Sequence, residues 1–511
     1  MEKQIDQFKV LLIYPNGLLM NPPPISYGIF TALLKEKGYS VELFDTTLYR
    51  NHQTEGSDEM KESTLQVRPF SYESRDVQYK ETDPTEDLIT KINNFKPDLI
   101  CISVLETIYE EVLPIIKTLN RFNIPVLAGC VFATYAPEVV LSHKCVTMAC
   151  IGEGENVLME VCDRLAHNKE WYDIKGLAYI KDGKLIKNSQ GIKKNIDSLP
   201  IPDFSLFEYS RFLRPMGGQV YVTIPMETNR GCPYTCAFCN SPSNTELYKE
   251  TNQTFFRKKS ICTIEKELKH LIKQNNAEFV YFCSDTFMIF TKKEWNEFVE
   301  MYKGIHLPFW IQTRAETLTV NPDRVKTLRE IGCHRVSLGL EHGNAEYRQK
   351  VILKGFDNQM MIDATQLLYD NGIPTSINNI IGFPGETRGL IFDTIELNRK
   401  LKGIDTTNCS VFAPFFGTPL RKVCIEKGYI KDNFISGTLN TTVHLKNMSN
   451  LSSDELDGLR KTFAMYARMP KKYWGKLKKA ERNDKQGNLL FAELAEIYTE
   501  KYFGSGTAEM D

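Results

Sequence analysis

Three cysteines sit close together in "NRGCPYTCAFCNSPS" (229–243): Cys232, Cys236 and Cys239, spaced C-x3-C-x2-C. Such a triplet could hold a disulfide with one thiol left over, one side of a zinc site, or three corners of an iron–sulfur cube. A structural zinc site takes four ligands, and no further Cys or His follows closely enough to complete one. Three thiolates on a cubane leave one iron free to bind something else. Among the thirteen cysteines, Cys101, Cys150 and Cys283 lie in apolar runs and read as small core residues. The opening "MEKQIDQFKVLLIYPNG" has only a short apolar run with acidic flanks, unlike a secretory signal. A cytoplasmic, reducing setting is therefore expected, in which clustered thiols act as ligands rather than disulfides.

The triplet must be held by something large. At 511 residues the chain exceeds one ordinary core, so two or three domains are expected. Its 42% hydrophobic and 25% charged residues are those of a globular protein. With 63 Lys+Arg against 64 Asp+Glu there is no global field to attract nucleic acid or an anionic membrane. No continuous apolar stretch approaches the length of a membrane span.

Residues 1–165 read as a doubly wound α/β unit. "KVLLIYP" (9–15), "SVELFD" (40–45), "PDLICISVL" (97–105), "IPVLAGC" (124–130) and "VTMACIGEGE" (146–155) are five short, mostly apolar runs suited to buried parallel strands. The polar span 50–90 reads as a surface insertion, either ordered or partly disordered. Residues 166–215 form a connector with a hairpin at "YIKDGKL", where Asp-Gly makes the turn. From 216 to 424, strands at 219–232, 277–287, 308–316, 334–343, 373–386 and 406–420 alternate with helical segments. Six such units predict a partial parallel barrel with chemistry at its C-terminal strand ends, where the cysteine loop falls. Residues 425–511 read as helices. They are expected to help shape a pocket, although the aromatic and basic stretch 463–476 also suits an ordinary amphipathic helix.

"RGCPYTCAFC" closely resembles the signature loop of the radical S-adenosylmethionine (SAM) enzymes. The resemblance runs on through "SLGLEHGNAEYRQKVILKG", "IIGFPGET" and "FAPFFGTPL", in order, over roughly half the chain. It implies a [4Fe–4S] cluster on Cys232, Cys236 and Cys239, with SAM chelating the open iron and Phe238 beside the adenine. Ser284 and Asp285 occupy the turn that meets the methionine amino group, where this sequence departs from the usual glycine-rich form. Arg314 and Glu341 stand at strand ends that face SAM, and Gly382, Pro384 and Gly385 let backbone approach it. No residue is singled out as catalytic.

The first domain should bind a ligand beyond its carboxyl strand ends. Those loops carry Pro15 and Asn16, Ser103 and Leu105, Gly129 and Phe132, and Gly152, Glu153 and Gly154. The arrangement is similar to the cobalamin-binding domain fused to many radical SAM enzymes, with Ser103-Val104-Leu105 matching its Ser-x-Leu element. The Asp-x-His-x-x-Gly loop of other cobalamin proteins is missing, which implies cobalamin bound with its base displaced and no axial imidazole from that loop.

The fold implied is α/β: a Rossmann-like cobalamin domain, a partial (β/α)6 radical SAM barrel and a helical C-terminal region. The reaction implied is methyl transfer from methylcobalamin to an unactivated carbon of a small-molecule, lipid or natural-product substrate, initiated by a 5′-deoxyadenosyl radical. A non-methylating cyclase or oxidase with the same cofactors is the rival, and a non-catalytic cobalamin sensor is more distant. A methylthiotransferase fits less well, because the first domain has no cysteine triplet of its own. A reductase, flavodoxin or ferredoxin would supply electrons.

Overall fold

The computed structural model describes residues 7–19, 22–50, 58–437, 442–448 and 450–504. Met20 and Asn21 of the loop after the first strand, and 51–57 of the polar span, lie outside the described residues.

The first sheet has seven strands in the order β2-β1-β3-β4-β5-β6-β7. The strands β1 (Lys9–Tyr14), β2 (Ser40–Asp45), β3 (Leu99–Ser103), β4 (Val126–Gly129) and β5 (Met148–Cys150) are parallel. Their apolar runs are continuous because both faces are covered. Along β1, Val10 and Leu12 pack into one core, and Leu11 and Ile13 into another on the opposite face. Helices Ile25–Glu36 and Glu155–Ala166 contribute Leu34 and Val161 to the first core; Pro84–Phe95 and Tyr109–Leu119 contribute Leu88 and Val112 to the second. The hairpin β6 (Leu177–Lys181) and β7 (Lys184–Lys187) turns at Asp182-Gly183, both with positive φ (50° and 72°). Its first strand pairs antiparallel with β5, so this part of the connector extends the first sheet.

A second seven-stranded sheet curls into a half barrel. It begins with an antiparallel pair, β8 (Leu213–Met216) and β9 (Gln219–Met226). Two-residue strands β10 (Asn229–Arg230) and β11 (Arg257–Lys258) form a separate ladder at the base of the cysteine loop. Then β12 (Phe279–Phe282), β13 (Phe309–Thr313), β14 (Cys333–Glu341), β15 (Thr375–Ile381) and β16 (Ile404–Val411) follow β9 in parallel, giving the order β16-β15-β14-β13-β12-β9-β8. The six parallel strands are those expected from the sequence. Helix Ser453–Arg468 packs on β16, where Val411, Leu456, Leu459 and Phe463 share one core.

The polar span differs from a solvated insertion. Asp58 pairs with Arg214 of β8 (2.6 Å), Gln66 accepts from the backbone N–H of Cys409 in β16 (3.4 Å), and Arg68 pairs with Asp405 of β16. Leu65 is buried among Ile381 and Val411. Residues 58–83 thus bridge the two edges of the half barrel. The span is polar because its side chains answer charges on those edges. Stretch 463–476 is also mostly internal: Phe463, Met465 and Tyr466 are core, and Trp474 packs edge-on to Tyr466 (5.4 Å). A second clasp joins the sheets where the Glu106 carboxylate accepts from the backbone N–H groups of Phe416 (2.8 Å) and Ser436 (3.1 Å).

Candidate functional site

The cysteine loop leaves β9 at the carboxyl end of the half barrel. Gly231 (φ 84°) allows the turn, since a Cβ there would lie 2.7 Å from the Phe255 ring. The loop is fixed by backbone bonds from Ala237 N–H to Ile352 O (2.8 Å) and from Leu420 N–H to Ala237 O (2.9 Å). Each thiol meets a different polar partner. Arg314 Nη1 donates to Cys236 Sγ (3.1 Å), Ser241 N–H donates to Cys239 Sγ (3.4 Å), and the Thr286 hydroxyl lies 3.4 Å from Cys232 Sγ. The Arg314 guanidinium also lies over the Tyr234 ring at 3.8 Å and is held by Glu316.

This donor set fits an iron–sulfur cluster. All three thiols are free, and among the described residues no three His, Cys, Asp or Glu side chains converge as a single metal ion requires. In a cubane each thiolate takes its own iron and stays apart from the others. Burial pushes Cys239 up to about 11 and raises Cys232, so deprotonation there calls for a cation. Ring contacts brace the loop: Phe238 meets Phe383 edge-on (6.2 Å), and Ala237, Ile352 and Phe412 pack beneath.

The remaining residues expected at the SAM site are distributed over neighbouring strand ends. Ser284 spends its hydroxyl internally, accepting from the Thr228 N–H (2.8 Å) and so tying the end of β12 to that of β9. Asp285 follows in the same turn; desolvation by the surrounding atoms, then nearby Glu227, raises it above the usual carboxylate range. Glu341 ends β14 with a left-handed φ of 64° and pairs with Lys354 (3.0 Å). Gly382, Pro384 and Gly385 form the turn after β15, with φ 83° at Gly382 and 81° at Gly385.

A buried pair that the sequence reading missed joins these two turns. His342 Nε2 lies 3.0 Å from Glu386 Oε1, and both side chains are 0% exposed. The other Glu386 oxygen accepts from the backbone N–H groups of Gly382 and Phe383 (3.1 Å for the latter). The Asn344 N–H donates to His342 Nδ1 (3.1 Å), which leaves Nε2 as the ring nitrogen on the carboxylate side. His342 stacks on Tyr347, whose hydroxyl donates to Pro384 O (3.0 Å). Both residues were inside the quoted motifs, "LEHG" and "FPGE", but nothing in one sequence reveals that they meet.

Across the domain boundary, a cavity of about 290 Å³ opens beyond the carboxyl ends of β3, β4 and β5. It is lined by Ser103, Gly129, Gly152, Glu153 and Gly154, five of the nine residues expected to face cobalamin. The other four lie elsewhere. Asn16 ties β1 to the turn after β2 through Thr46 (2.8 Å) and Thr47 (3.0 Å), and Pro15 is buried beside it. Phe132 packs edge-on to Tyr109 (5.0 Å) and Phe416 (5.5 Å), and Leu105 packs against the same core. The cavity fits a large, mostly neutral cofactor: its strand-end glycines bare the backbone, and among the described residues no histidine lines it. A Cβ on Gly152 (φ 85°) would strike the Tyr248 hydroxyl, which already accepts from Glu153 N–H (2.6 Å).

Two barrel residues, Glu227 and Arg230, complete that lining. Arg230 reaches Glu155 at 2.6 Å, Glu227 at 3.2 Å and Glu153 at 3.6 Å. Arg257 pairs with Glu153 as well. Burial would raise Glu227, but Arg230 and Lys259 outweigh it and hold it below the usual range. The wall of the first cavity therefore ends two residues before Cys232.

The Radical SAM superfamily model matches residues 226–397, and the B12 binding domain model matches residues 66–162. These matches and the cysteine loop define a radical SAM enzyme. With the first domain included, the chain is a cobalamin-dependent radical SAM enzyme, whose cofactors are a [4Fe–4S] cluster, SAM and cobalamin. It is similar to the uncharacterized methyltransferase PH0819 of Pyrococcus horikoshii, with 28% identity over 394 residues, covering 75% of this chain and 82% of that protein. It also resembles the anaerobic magnesium-protoporphyrin IX monomethyl ester cyclase of Rubrivivax gelatinosus, 27% identical over 345 residues, covering 65% of this chain and 60% of that one. In fold it is similar to the cobalamin-dependent SAM radical enzyme OxsB, with a TM-score of 0.66 at 15% identity, covering 97% of this chain and 72% of the other. Among the described residues, no helix is long and apolar enough to cross a membrane.

Proposed function

We propose that this enzyme transfers a methyl group to an unactivated carbon of a small-molecule or lipid substrate. The observation that carries the reading is the shared wall. Arg230 lines the strand-end cavity of the first domain and stands two residues from Cys232, so the residues that would hold the two cofactors adjoin. The likeness to a methyltransferase over most of both chains supports it.

When bound, the cofactors supply one-electron cleavage chemistry and a store of methyl groups. The chain's residues hold and shield them. Arg314 places a fixed positive charge against Cys236 Sγ. Glu386 aligns the Gly382 and Phe383 N–H groups, and the turn stays in register with Glu341 through His342. Phe238, Phe383 and Phe412 pack an apolar floor under the loop. Electrons come from an external donor of the flavodoxin or ferredoxin class.

The test is isotopic. With SAM labelled in its S-methyl group, product should carry the label, and S-adenosylhomocysteine and 5′-deoxyadenosine should form in comparable amounts. Deoxyadenosine without S-adenosylhomocysteine, and product without label, would refute methyl transfer. Ring formation or oxidation, favoured by the likeness to the Rubrivivax cyclase, would replace it.

A further inference from the structure

The lumen of the half barrel encloses a second cavity, of about 310 Å³. Much of its wall comes from the amino ends of the strands, opposite the end that carries the cysteine loop. Trp310 and Asp405 are the second residues of β13 and β16, and Arg335 is the third of β14; all three line it. Segment 58–83 contributes Asp58, Lys61 and Arg68 to the same wall.

The charge of this wall is unbalanced. Among the described residues that line it, the four cations Lys61, Arg68, Arg214 and Arg335 meet only two carboxylates, Asp58 and Asp405. Each carboxylate is shared between two cations. Asp405 takes Arg68 on Oδ1 and Arg335 on Oδ2. Asp58 takes Arg214 on Oδ2 (2.6 Å), with Lys61 3.6 Å from Oδ1. Each bridge leaves one positive charge over, so four cations against two carboxylates give an excess of two. Arg335 and Arg214 are only 6% and 13% exposed, and water screens the excess poorly there. Lys61 and Arg68 are more open, and neither Lys61 Nζ nor Arg68 Nη1 donates to a described residue. The stacked pair Tyr281 and Trp310 (4.3 Å, 8°) adds a flat apolar surface to the same wall.

We infer that the base of the lumen binds a phosphate monoester. At neutral pH such a group carries a charge of roughly −1.5 to −2, which answers the excess. Its three terminal oxygens accept from several cations at once, and guanidinium groups take phosphate oxygens in pairs. The organic part of the ester lies against the aromatic pair. A neutral or cationic ligand would leave the excess uncompensated. The site stands whichever reaction the cofactors perform.

Calorimetric titration of the full-length enzyme, loaded with cluster and cobalamin, tests this. Phenyl phosphate and inorganic phosphate are the anionic probes; benzyl alcohol and benzylamine are the neutral and cationic ones. Both phosphates should bind, phenyl phosphate the more tightly, and the other two should not. Binding should weaken as chloride is raised. At Lys61, which is half-exposed, Lys61→Arg should keep phosphate binding. Lys61→Gln should weaken it about fivefold, and Lys61→Glu further still. Trp310→Leu should remove the advantage of phenyl phosphate while inorganic phosphate still binds. Iron and cobalamin content equal to wild type shows that each variant is folded. No binding of either phosphate, or binding that the Lys61 series leaves unchanged, would overturn the inference. Benzyl alcohol binding as tightly as phenyl phosphate would overturn it too, since the ring and not the charge would then be recognised. Equal binding of the two phosphates would assign the site to free phosphate and overturn the ester.

Discussion

At the scale of single residues, the cysteine loop depends on groups that the triplet does not reveal. Arg314 is the most consequential. Its N–H donates to Cys236 Sγ, and its charge is held in place by Tyr234 and Glu316. Hydrogen bonds to cluster sulfurs stabilise the more negative, reduced state. Arg314→Met should therefore lower the cluster potential by an amount on the order of 60 mV, equivalent to ~1.4 kcal/mol for one electron. A redox titration followed by electron paramagnetic resonance reads this directly. An unchanged potential would show that the contact does not survive in the loaded enzyme. The cysteines themselves were legible because spacing within a loop is local information. Arg314 was legible as a strand-end residue, but its aim at sulfur was not, because 78 residues separate it from Cys236.

At the scale of elements, the strap formed by residues 58–83 carries the next expectation. Burial would raise the Asp405 carboxyl, but its bond to Arg68 and the charge of Arg335 hold it below the usual range. Asp405→Asn should leave Arg335 buried without its counter-charge, 6% exposed, and cost about 3 kcal/mol. A group with a depressed folded-state pKa contributes stability above its unfolded value, near ~3.9 for Asp, and loses it as pH falls through the lower folded value. Denaturant unfolding should accordingly give a large gap between wild type and variant at neutral pH, narrowing below about pH 4. A gap independent of pH would assign the effect to packing instead. The strands themselves could be read in advance because apolar runs of four to eight residues declare themselves. The strap could not. A polar segment that answers buried charges on distant strands has the same composition as one that answers water.

At the scale of the whole molecule, two sheets meet over one recess. The sequence indicated a ligand beyond the strand ends of the first domain, and the 290 Å³ cavity lies there, lined by Ser103, Gly129 and Glu153. Pro15, Asn16 and Phe132 were placed by loop position and Leu105 by the Ser-x-Leu element; none of the four lines that cavity, and Asn16, Leu105 and Phe132 engage the neighbouring turn and core. Among the described residues, no histidine lines the cavity from either domain. The cob(II)alamin form of the enzyme should therefore lack nitrogen superhyperfine splitting from an axial base. Clear splitting by one nitrogen would contradict that arrangement.

The strap also has a history within each newly made molecule. Arg68 and its partner Asp405 are 337 residues apart, and the strap emerges from the ribosome first. At a synthesis rate of ~5–20 residues per second, it waits roughly 20 to 70 s for β16. During that interval Leu65, Gln66 and Arg68 have no barrel edge to meet, while the first sheet can already be complete. Closure of the lumen therefore belongs to the last stage of synthesis. A protease added to stalled nascent chains should cut within 58–83 until β16 has emerged, and spare that segment afterwards.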